Sequence, residues 1–312
     1  MAIFEGLWQA ISSIWPGTDQ KEATESLENK INKVLAEERD KIRPSREDID
    51  VFSWITKDNN PIHRLAKRAK KLGFDDTPIM GVHIAAYGEQ FIEKAVEHMR
   101  EFWGADIKII GQHNTFKAPV YPGDRILWQI TPSLRNIDEE IHLGITGTVK
   151  DKIVIEISSR LGKAYKTMPQ IAGPVFSERH LLDADRLEAF YNCAGGKNNG
   201  KVSNMLPASY VPATLLKLLE QKTQTMEGTN LAMNFEFLRE VEPGRLQVDI
   251  FPPRRARLMP PRKDAGGNVI IDPTTNEPVK NYLYKFNAVV SQETKPVTYG
   301  EIICATNIQL GF

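Results

Sequence analysis

The stretch PIMGVHIAAYGEQFIEKAVEHMREFWG, residues Pro78–Gly104, predicts a long helix that the rest of the protein encloses. Apolar or small residues lie on nearly every side of its first three turns, and only its later turns become amphipathic. A helix that is apolar all round is buried, whereas a surface helix has a polar face. We therefore expect the remaining chain to cover this helix.

Three segments with alternating apolar and polar residues follow the helix: RILWQI from Arg125, EIHLGITGTV from Glu140 and KIVIEISSRLGKAY from Lys152. This alternation predicts antiparallel strands. The segment TMPQIAGPVF, around Pro169 and Gly173-Pro174, interrupts the pattern and indicates a linker. The chain then repeats the order of an acid-led helix, an apolar helix (PATLLKLLEQ) and a group of strands, which predicts an α+β protein with two similar halves.

A repeated segment supports this duplication. FKAPVYPGD, Phe116–Asp124, aligns with FLREVEPGR, Phe237–Arg245, and each joins one predicted strand to the next through a Pro-Gly turn. The shared aromatic residue and the shared order of flanking elements favour duplication over a coincidence of turn chemistry. The sequence thus predicts two copies of one fold.

The composition excludes several kinds of partner. The 312 residues suffice for two domains of ordinary size. Lys+Arg and Asp+Glu each count 40, so no net charge attracts the chain to nucleic acid. The two cysteines, Cys193 and Cys304, are too few for a disulfide framework and lack metal-ligand spacing. We expect a reducing, cytoplasmic location in which both thiols are free and buried.

The N-terminal segment MAIFEGLWQAISSIWPG predicts an amphipathic helix that Pro16-Gly17 stops. It lacks the cationic start and continuous apolar core of a secretory signal, and no later segment has the roughly 20 apolar residues of a membrane span. We expect residues 1–44 to be a helical extension that packs on the protein or on a partner subunit. A peripheral membrane contact through its two tryptophans is the alternative.

The segment KDNNPIHRLAKRAKKLGF, Lys57–Phe74, predicts a helix start. Asn60 can cap the first amides, and Pro61 suits the first helical position because its missing N–H would have no partner there. We expect the helix to continue to Leu72, with Gly73 as its stop.

His63 would lie in the first turn of this helix, where the positive end of the helix dipole disfavours a second positive charge. A histidine with an ordinary pKa of about 6.5 is then neutral near pH 7 and can take a proton from water. Asp58 precedes the cap, close enough to share a pocket with His63 and to donate a proton or orient water. Because helix starts also carry ordinary histidines, a purely structural interpretation stays open on these residues alone.

Other reaction centres have little support in the sequence. No third His, Cys or carboxylate lies at ligand spacing from His63, and His83 would sit on a different helix, so we expect no metal. The chain contains no G-x-S-x-G, P-loop or G-x-G-x-x-G motif, so the corresponding hydrolase, phosphate-binding and dinucleotide-binding sites have no residues to support them.

The stretch FSWITKDNNPIHRLAKRA resembles the hydratase motif of MaoC-like (R)-specific enoyl-CoA hydratases and 3-hydroxyacyl dehydratases, in which an aromatic residue leads to Ser-Gly-Asp-x-Asn-Pro-Ile/Leu-His. Asp58, Asn60, Pro61, Ile62 and His63 match position for position, and Thr56-Lys57 replace Ser-Gly. GFDDTPIMGVHIAAY is similar to the family's next block, although Met80-Gly81-Val82 stands for His-Gly-Met, and FKAPVYPGD is similar to the block that follows. The second half has NCAGGKNNGKVSN at the corresponding place, without the Asp or the His.

The resemblance implies two tandem hotdog folds, each an antiparallel sheet wrapped around a long helix and together forming a pseudo-dimer. It places a catalytic hotdog domain at residues 45–172 and a degenerate one at 173–312. It also implies a hydro-lyase that adds water to trans-2-enoyl thioesters or removes it from (R)-3-hydroxyacyl thioesters in fatty-acid or polyketide-type metabolism, with no cofactor.

By position in the family, His63 would be the base toward water, Asp58 its acid/base partner and the Gly81 amide the donor to the thioester oxygen, with Asn60 and Lys57 as binding residues. Lys57 would place a cation beside Asp58. Two alternatives are a non-catalytic acyl-thioester-binding protein and a hotdog thioesterase that uses a carboxylate of the central helix, Glu89 or Glu93.

The thioester substrate would carry coenzyme A or acyl carrier protein, whose phosphates require basic residues. One basic cluster follows His63 and consists of Arg64, Lys67, Arg68, Lys70 and Lys71. The other is the Pro-rich insertion PPRRARLMPPRKD, from which Arg254, Arg255 and Arg257 are predicted to bind the substrate. A solvated helix face and a flexible surface loop are the respective alternatives. Because hotdog sheets pair, we also expect a homodimer.

Overall fold

The computed structural model describes residues 43–137, 140–171, 173–196, 200–223, 228–261, 263, 267–271, 276–307 and 309–310. The predicted N-terminal helix and its membrane contact lie outside these residues. Among the helices that are described, none is long and apolar enough to cross a membrane.

In each half a group of helices precedes a group of strands, except that the second half begins with one additional strand. The first half contains α1 (Arg46–Thr56), a 3₁₀ turn (Pro61–His63), α2 (Ala66–Lys71), α3 (Gly81–Trp103), β1 (Lys108–Phe116), β2 (Leu127–Ile137), β3 (Glu140–Val149) and β4 (Lys152–Gly162). The second half contains β5 (Phe176–Leu182), α4 (Ala184–Ala194), α5 (Met205–Thr223), β6 (Thr229–Phe237), β7 (Gly244–Ile250), β8 (Arg255–Met259), β9 (Asn281–Gln292) and β10 (Lys295–Thr306).

One sheet runs through both halves in the strand order β2-β3-β4-β1-β6-β10-β9-β7-β5, and β8 pairs with β9. The antiparallel pair β1 and β6 joins the halves, with Gly111 opposite Glu236 and Thr115 opposite Ala232. The alignment of Phe116 with Phe237 makes Gly111 the counterpart of Ala232 and Thr115 the counterpart of Glu236. The pairing is therefore reciprocal, as a local two-fold axis requires.

The long helix α3 is enclosed, as its sequence predicts. Its first turns are buried, including Val82, Ile84, Ala85 and Ala86, each at most 3% exposed. A Cβ on Gly88 would lie 2.1 Å from Ile157 Cδ1, so only glycine lets the helix approach β4 this closely. The second half repeats this arrangement with α5 as its enclosed helix. The predicted α+β class, two tandem hotdog folds, is confirmed.

Some local predictions were wrong. The helix α5 starts at Met205 rather than near Pro212, which is buried inside the helix. The Pro-rich insertion was expected to be a loop, but Arg255–Met259 forms β8, because its backbone pairs with β9. The linker lies between β4 and β5, where the sequence placed it. The exact domain boundaries stay predictions.

Candidate functional site

The helix predicted to start at Asn60 is shorter and broken. The Asn60 side chain does cap the turn, since its Oδ1 accepts from Ile62 N at 3.3 Å. The chain forms only a 3₁₀ turn, becomes extended at Leu65 and then enters α2. The prediction of one helix to Leu72 was wrong because contacts outside the segment hold the turn: Asn60 bonds to β6 and His63 to the loop before α3.

The first of these contacts joins the two halves at the site. Asn60 Nδ2 donates to the carbonyl oxygen of Gly228 at 3.1 Å, and Asn60 is only 3% exposed. A residue predicted to bind substrate therefore also ties the turn to the start of β6.

The second contact sets the tautomer of His63. Its Nδ1 lies 2.8 Å from the carbonyl oxygen of Pro78. Because a carbonyl only accepts, Nδ1 carries the proton and Nε2 is left unprotonated. A residue at the end of the loop before α3 thus prepares the imidazole to act as a base.

Asp58 and His63 are brought together in a buried environment. Burial lowers the pKa of His63 below its ordinary 6.5, while Asp58 and the Pro78 carbonyl oppose this effect. Burial raises the pKa of Asp58 above its ordinary 3.8, and His63 and the Asn60 amide oppose that change. The neutral histidine expected from the sequence is thus supported, although its main cause is burial rather than the helix dipole.

Hydrogen bonds to neighbouring residues fix Asp58 in place. Its Oδ1 accepts from Asn60 N at 3.0 Å, and its carbonyl oxygen accepts from Ser53 Oγ at 2.5 Å. Asp58 is 3% exposed and His63 is 8% exposed. His63 lines both of the cavities described below, whereas Asp58 is not among their lining residues.

The third predicted catalytic residue, Gly81, begins α3. The N–H groups of a first helical turn have no partner within the helix and bear the positive end of its dipole. A Cβ at Gly81 would lie 3.0 Å from Cε1 of Phe116, so glycine lets the ring pack over this helix end. Phe116 was singled out in the sequence only as part of a turn.

An inner cavity of about 190 Å³ brings His63, Asn60 and Gly81 together. Its other lining residues are Ile62, Phe74, Pro78, Ile79, Ile84, Phe116, Lys117, Ala118, Pro119, Val120, Gly228, Thr229, Asn230 and Leu231. The walls come from both halves and are mostly apolar. Such a chamber suits an acyl group whose reacting end lies at the histidine.

A second space, an outer cleft of about 480 Å³, also has His63 in its lining. It is lined by Arg46, Ile49, Asp50, Asn59, Pro61, His63, Arg64 and Leu65. Arg64 lies 3.5 Å from Asp50, and Arg46 lies 3.8 Å from Asp76, a residue outside this lining. Arg64 belongs to the predicted basic cluster, whereas Arg46 was missed because it lies in a charged helix with no motif.

The remaining predicted binding residues lie elsewhere. Lys57 is the C-cap of α1 and adopts the left-handed conformation, with φ 60°. Burial is the main cause of the lowered pKa of His180, and the charge of Lys57 lowers this pKa further. Arg254 is exposed, and its N–H donates to the carbonyl oxygen of Lys285 at 2.9 Å. Arg255 and Arg257 lie on β8.

The pairing of the strands gives the distance between β8 and the inner cavity. Arg257 pairs with Leu283, Leu283 with Ala305, and Ala305 with Thr229. Three steps between strands separate the Arg257 backbone from the cavity wall by about 14 Å. The binding role predicted for the three arginines thus stays a prediction, and neither Arg254 nor Arg257 is among the residues that line the inner cavity.

In the second half, a carboxyl group occupies the start of the central helix α5. Met205 N, at the start of α5, donates to both carboxyl oxygens of Glu89, at 3.2 and 3.0 Å, and the Ser203 hydroxyl also donates to this carboxyl group. Burial raises the pKa of Glu89 to about 7. A counterpart cavity of about 360 Å³ lies nearby, and its lining includes Glu93, Lys108 and Glu240 in place of an Asp/His pair.

Comparison with known proteins finds a family for the part of the chain that carries the first of these two sites. Residues 26–152 match the family model described as the MaoC like domain, and this segment contains Asp58, His63 and Gly81. The chain contains a MaoC-like domain. No curated protein matches the sequence. Within the part of the chain that the structure describes, no group of His, Cys, Asp and Glu residues could hold a metal ion around the MaoC-like site or elsewhere.

Solved structures extend the similarity beyond the MaoC-like domain. A protein of Chloroflexus aurantiacus named as a MaoC domain protein dehydratase superposes with a TM-score of 0.59 at 8% identity, covering 85% of this chain and 92% of its own. A conserved hypothetical protein of Mycobacterium tuberculosis with a double hotdog fold gives 0.52 at 10% identity, covering 85% and 93%. At these identities the likeness concerns the fold, which spans both halves.

Proposed function

We propose that the protein catalyses the reversible addition of water to trans-2-enoyl thioesters, which gives (R)-3-hydroxyacyl thioesters. The observation that supports this most is the pairing of His63 with Gly81 on one small apolar cavity. His63 supplies an unprotonated Nε2, and Gly81 supplies its own backbone N–H at the start of α3. A base and an oxyanion donor are what hydration of a conjugated thioester requires.

In this mechanism His63 Nε2 takes a proton from water while the water oxygen bonds to C3 of the substrate. The electrons of the C2–C3 double bond move into the thioester, and the Gly81 N–H stabilises the resulting enolate oxygen. C2 then takes a proton from the Asp58 and His63 pair. One water molecule is added, and the two side chains return to their starting protonation states.

The burial of Asp58 fits its part in this exchange. A carboxyl group whose pKa is raised can both hold and release a proton nearer to neutral pH than an exposed aspartate. The histidine, with a lowered pKa, is neutral and ready to accept. The two opposite shifts assign the groups complementary acid/base roles.

The coenzyme A or acyl carrier protein handle would leave through the outer cleft. This cleft shares His63 with the inner cavity, so a thioester at the histidine can place its acyl chain on one side and its phosphate-bearing arm on the other. Arg46 and Arg64 are the cations of the cleft, and guanidinium groups suit phosphate. Arg64→Glu should therefore raise KM for enoyl-CoA with little change in kcat.

Thioester hydrolysis is less consistent with the site. A hotdog thioesterase would need Glu89 or Glu93 to activate water. Glu89 is bonded to the start of α5, and Glu93 lines the counterpart cavity, so neither carboxyl group is on the inner cavity with His63.

A single assay tests the proposal. The protein is incubated with crotonyl-CoA while the enoyl absorbance and the free thiol are followed together. Hydration lowers the absorbance without releasing thiol, whereas thioesterase action releases thiol. If neither signal changes while crotonyl-CoA binds, the protein is an acyl-thioester-binding protein and the proposed reaction is wrong.

A further inference from the structure

The second half carries a segment that the first half lacks. The order of strands in the sheet makes β7 and β9 the counterparts of β2 and β3. Only residues 138–139 lie between β2 and β3, whereas residues 251–280 lie between β7 and β9. We call residues 252–280 the arm. A short turn is enough to connect such strands, so the arm is an addition that the fold itself does not require.

The arm lies on the surface of the second half. Its strand β8 pairs with the start of β9. Beyond β8, Lys263 pairs with Val269 and Ile271 pairs with Pro278, each in a single antiparallel bridge. None of the described residues of the arm is buried, and most of them are exposed. The arm therefore presents its side chains to the surroundings rather than to the core.

Three of these exposed side chains are large and apolar. Leu258 is 63% exposed, Ile271 45% and Val269 41%. Single exposed apolar residues are normal on a protein surface. However, among the described residues eight large apolar side chains are exposed, and three of them lie in this one segment. This concentration indicates a surface that contacts an apolar partner.

The arm is also basic. It contains six Lys or Arg residues and three Asp or Glu residues, although the chain as a whole has no net charge. Three of its basic residues, Arg257, Lys263 and Lys280, are described as exposed. The arm is thus positive relative to the rest of the molecule, and its charge favours a negatively charged partner.

A lipid bilayer with anionic headgroups meets both requirements. Its phosphates attract cations, and its interface accepts aliphatic side chains. A protein partner would need a continuous complementary surface of about 1,000 Å² in total, whereas lipids can rearrange around separate side chains. Single-stranded nucleic acid is bound by stacking on aromatic rings, and residues 252–280 contain no Phe, Tyr or Trp.

We propose that the arm binds the surface of anionic phospholipid bilayers. Its three exposed cations contact the headgroups, and its three exposed aliphatic side chains enter the interface. This inference goes beyond the proposed hydration and does not depend on it. It also concerns a different part of the chain from the N-terminal helix, for which a membrane contact was considered from the sequence.

Sedimentation of the full chain with lipid vesicles tests the charge of the arm. Vesicles with about one third phosphatidylglycerol in phosphatidylcholine should bind at least about ten-fold more tightly than phosphatidylcholine alone, and added salt should weaken this binding. The triple variant Arg257→Glu/Lys263→Glu/Lys280→Glu should weaken it by about a hundred-fold or more.

A matched control separates the arm from the net charge of the protein. Lys67→Glu/Lys70→Glu/Lys71→Glu makes the same change of charge at exposed positions in and beside α2. We expect this variant to weaken vesicle binding by about five-fold or less, since only long-range attraction is reduced. Equal losses in the two triple variants would overturn a binding site on the arm.

A second pair of variants tests the aliphatic side chains. Leu258→Ser should weaken binding to the anionic vesicles about ten-fold, because one large side chain no longer enters the interface. Ile153→Ser is the control, since Ile153 is 42% exposed on β4 in the other half. Equal effects of the two substitutions would contradict insertion of the arm.

The outcomes for the arm and for the reaction are distinct. Failure of the full chain to bind anionic vesicles would overturn the inference, as would binding that the arm variants leave unchanged. In the latter case another part of the chain, such as residues 1–44, would be the contact. Hydration of crotonyl-CoA is measured separately without vesicles, so a protein that hydrates but does not bind refutes the arm site alone.

Discussion

The two central helices, α3 and α5, begin in opposite ways. The start of α3 at Gly81 lines a largely apolar cavity together with His63. The start of α5 at Met205 is occupied by the carboxyl group of Glu89, which comes from α3 itself. The same fold element therefore serves a proposed reaction in one half and the packing of the halves in the other.

This difference indicates how a duplicated fold can keep one site. A helix start attracts an anion, whether it comes from a ligand or from the protein. In the first half the proposed anion is the enolate of a substrate. In the second half the carboxyl group of Glu89 occupies the helix start, and it links α3 to α5 at the same time.

The largest expected effect comes from the Asp/His pair beside the start of α3. His63→Ala should lower kcat for crotonyl-CoA hydration by about a thousand-fold, because the base toward water is lost. Asp58→Asn should lower kcat by about a hundred-fold or more for the same reaction. Unchanged hydration in both variants would refute the assignment, and His113→Ala, at an exposed position of β1, provides the control.

Removing the Glu89 carboxyl group from the start of α5 should lower stability rather than turnover. Glu89→Ala leaves Met205 N and the Ser203 hydroxyl without their buried partner. We expect the free energy of unfolding to fall by about 3 kcal/mol, as measured by urea denaturation. The kcat of the folded variant should stay within about three-fold of the wild type, since the Glu89 carboxyl is not on the inner cavity. A loss of turnover without a loss of stability would contradict the comparison.

The same carboxyl group predicts a pH dependence. Its folded-state pKa of about 7 is above its ordinary 4.5, so the folded protein favours the protonated form. The stability that Glu89 contributes relative to Glu89→Gln is full below about pH 4.5 and is lost as the pH rises through 7. The difference in unfolding free energy between the two proteins should change by about 3 kcal/mol over this range. A difference in unfolding free energy that does not vary with pH would show that the pKa of Glu89 is not raised.

A smaller effect is expected from adding a methyl group at the start of α3. Gly81→Ala places a methyl group about 3.0 Å from the Phe116 ring, which must move. Overpacking of this kind costs about 1–3 kcal/mol, and we expect kcat/KM for crotonyl-CoA to fall about ten-fold or more. The double variant Gly81→Ala/Phe116→Leu should recover part of the loss. Failure to recover would mean that the amide itself, rather than the ring, is disturbed.

The smallest effect concerns the turn that leads to Asp58. The helix α1 ends with Lys57 at φ 60°, whereas the matching helix α4 ends with Gly195 at φ 75°. Left-handed backbone is unfavourable for a residue with a Cβ, so Lys57→Gly should stabilise the protein by about 0.5–1 kcal/mol. Urea denaturation measures this gain, and Lys57→Ala, which keeps a Cβ, should not show it.

Much of the fold could be predicted because it depends on local patterns. The enclosed helix α3 and the alternating strands β3 and β4 are present where the sequence predicts them. The Asp58 and His63 pair was also recognisable, since it lies within one short segment. Such features need only neighbours in the chain.

Other features depend on contacts between residues far apart in the sequence. The break after His63 results from bonds to Pro78 and Gly228, and the placement of Arg257 results from the pairing of β8. Glu89 was considered for catalysis because its side chain lies on the central helix. Only the packing of α3 against α5 shows that it caps the second helix instead.

By itself the sequence determined two similar α+β halves, one of them with an Asp/His motif, because periodicity, turns and motif spacing are local properties. That each half is a hotdog fold was implied by the resemblance to the MaoC-like family. The tertiary structure decided which helix start stays open, which imidazole nitrogen carries the proton and how small the inner cavity is. These properties depend on contacts between residues that are far apart in the sequence. Burial and hydrogen bonding, which set a tautomer, a pKa and a volume, exist only once the two halves are packed together.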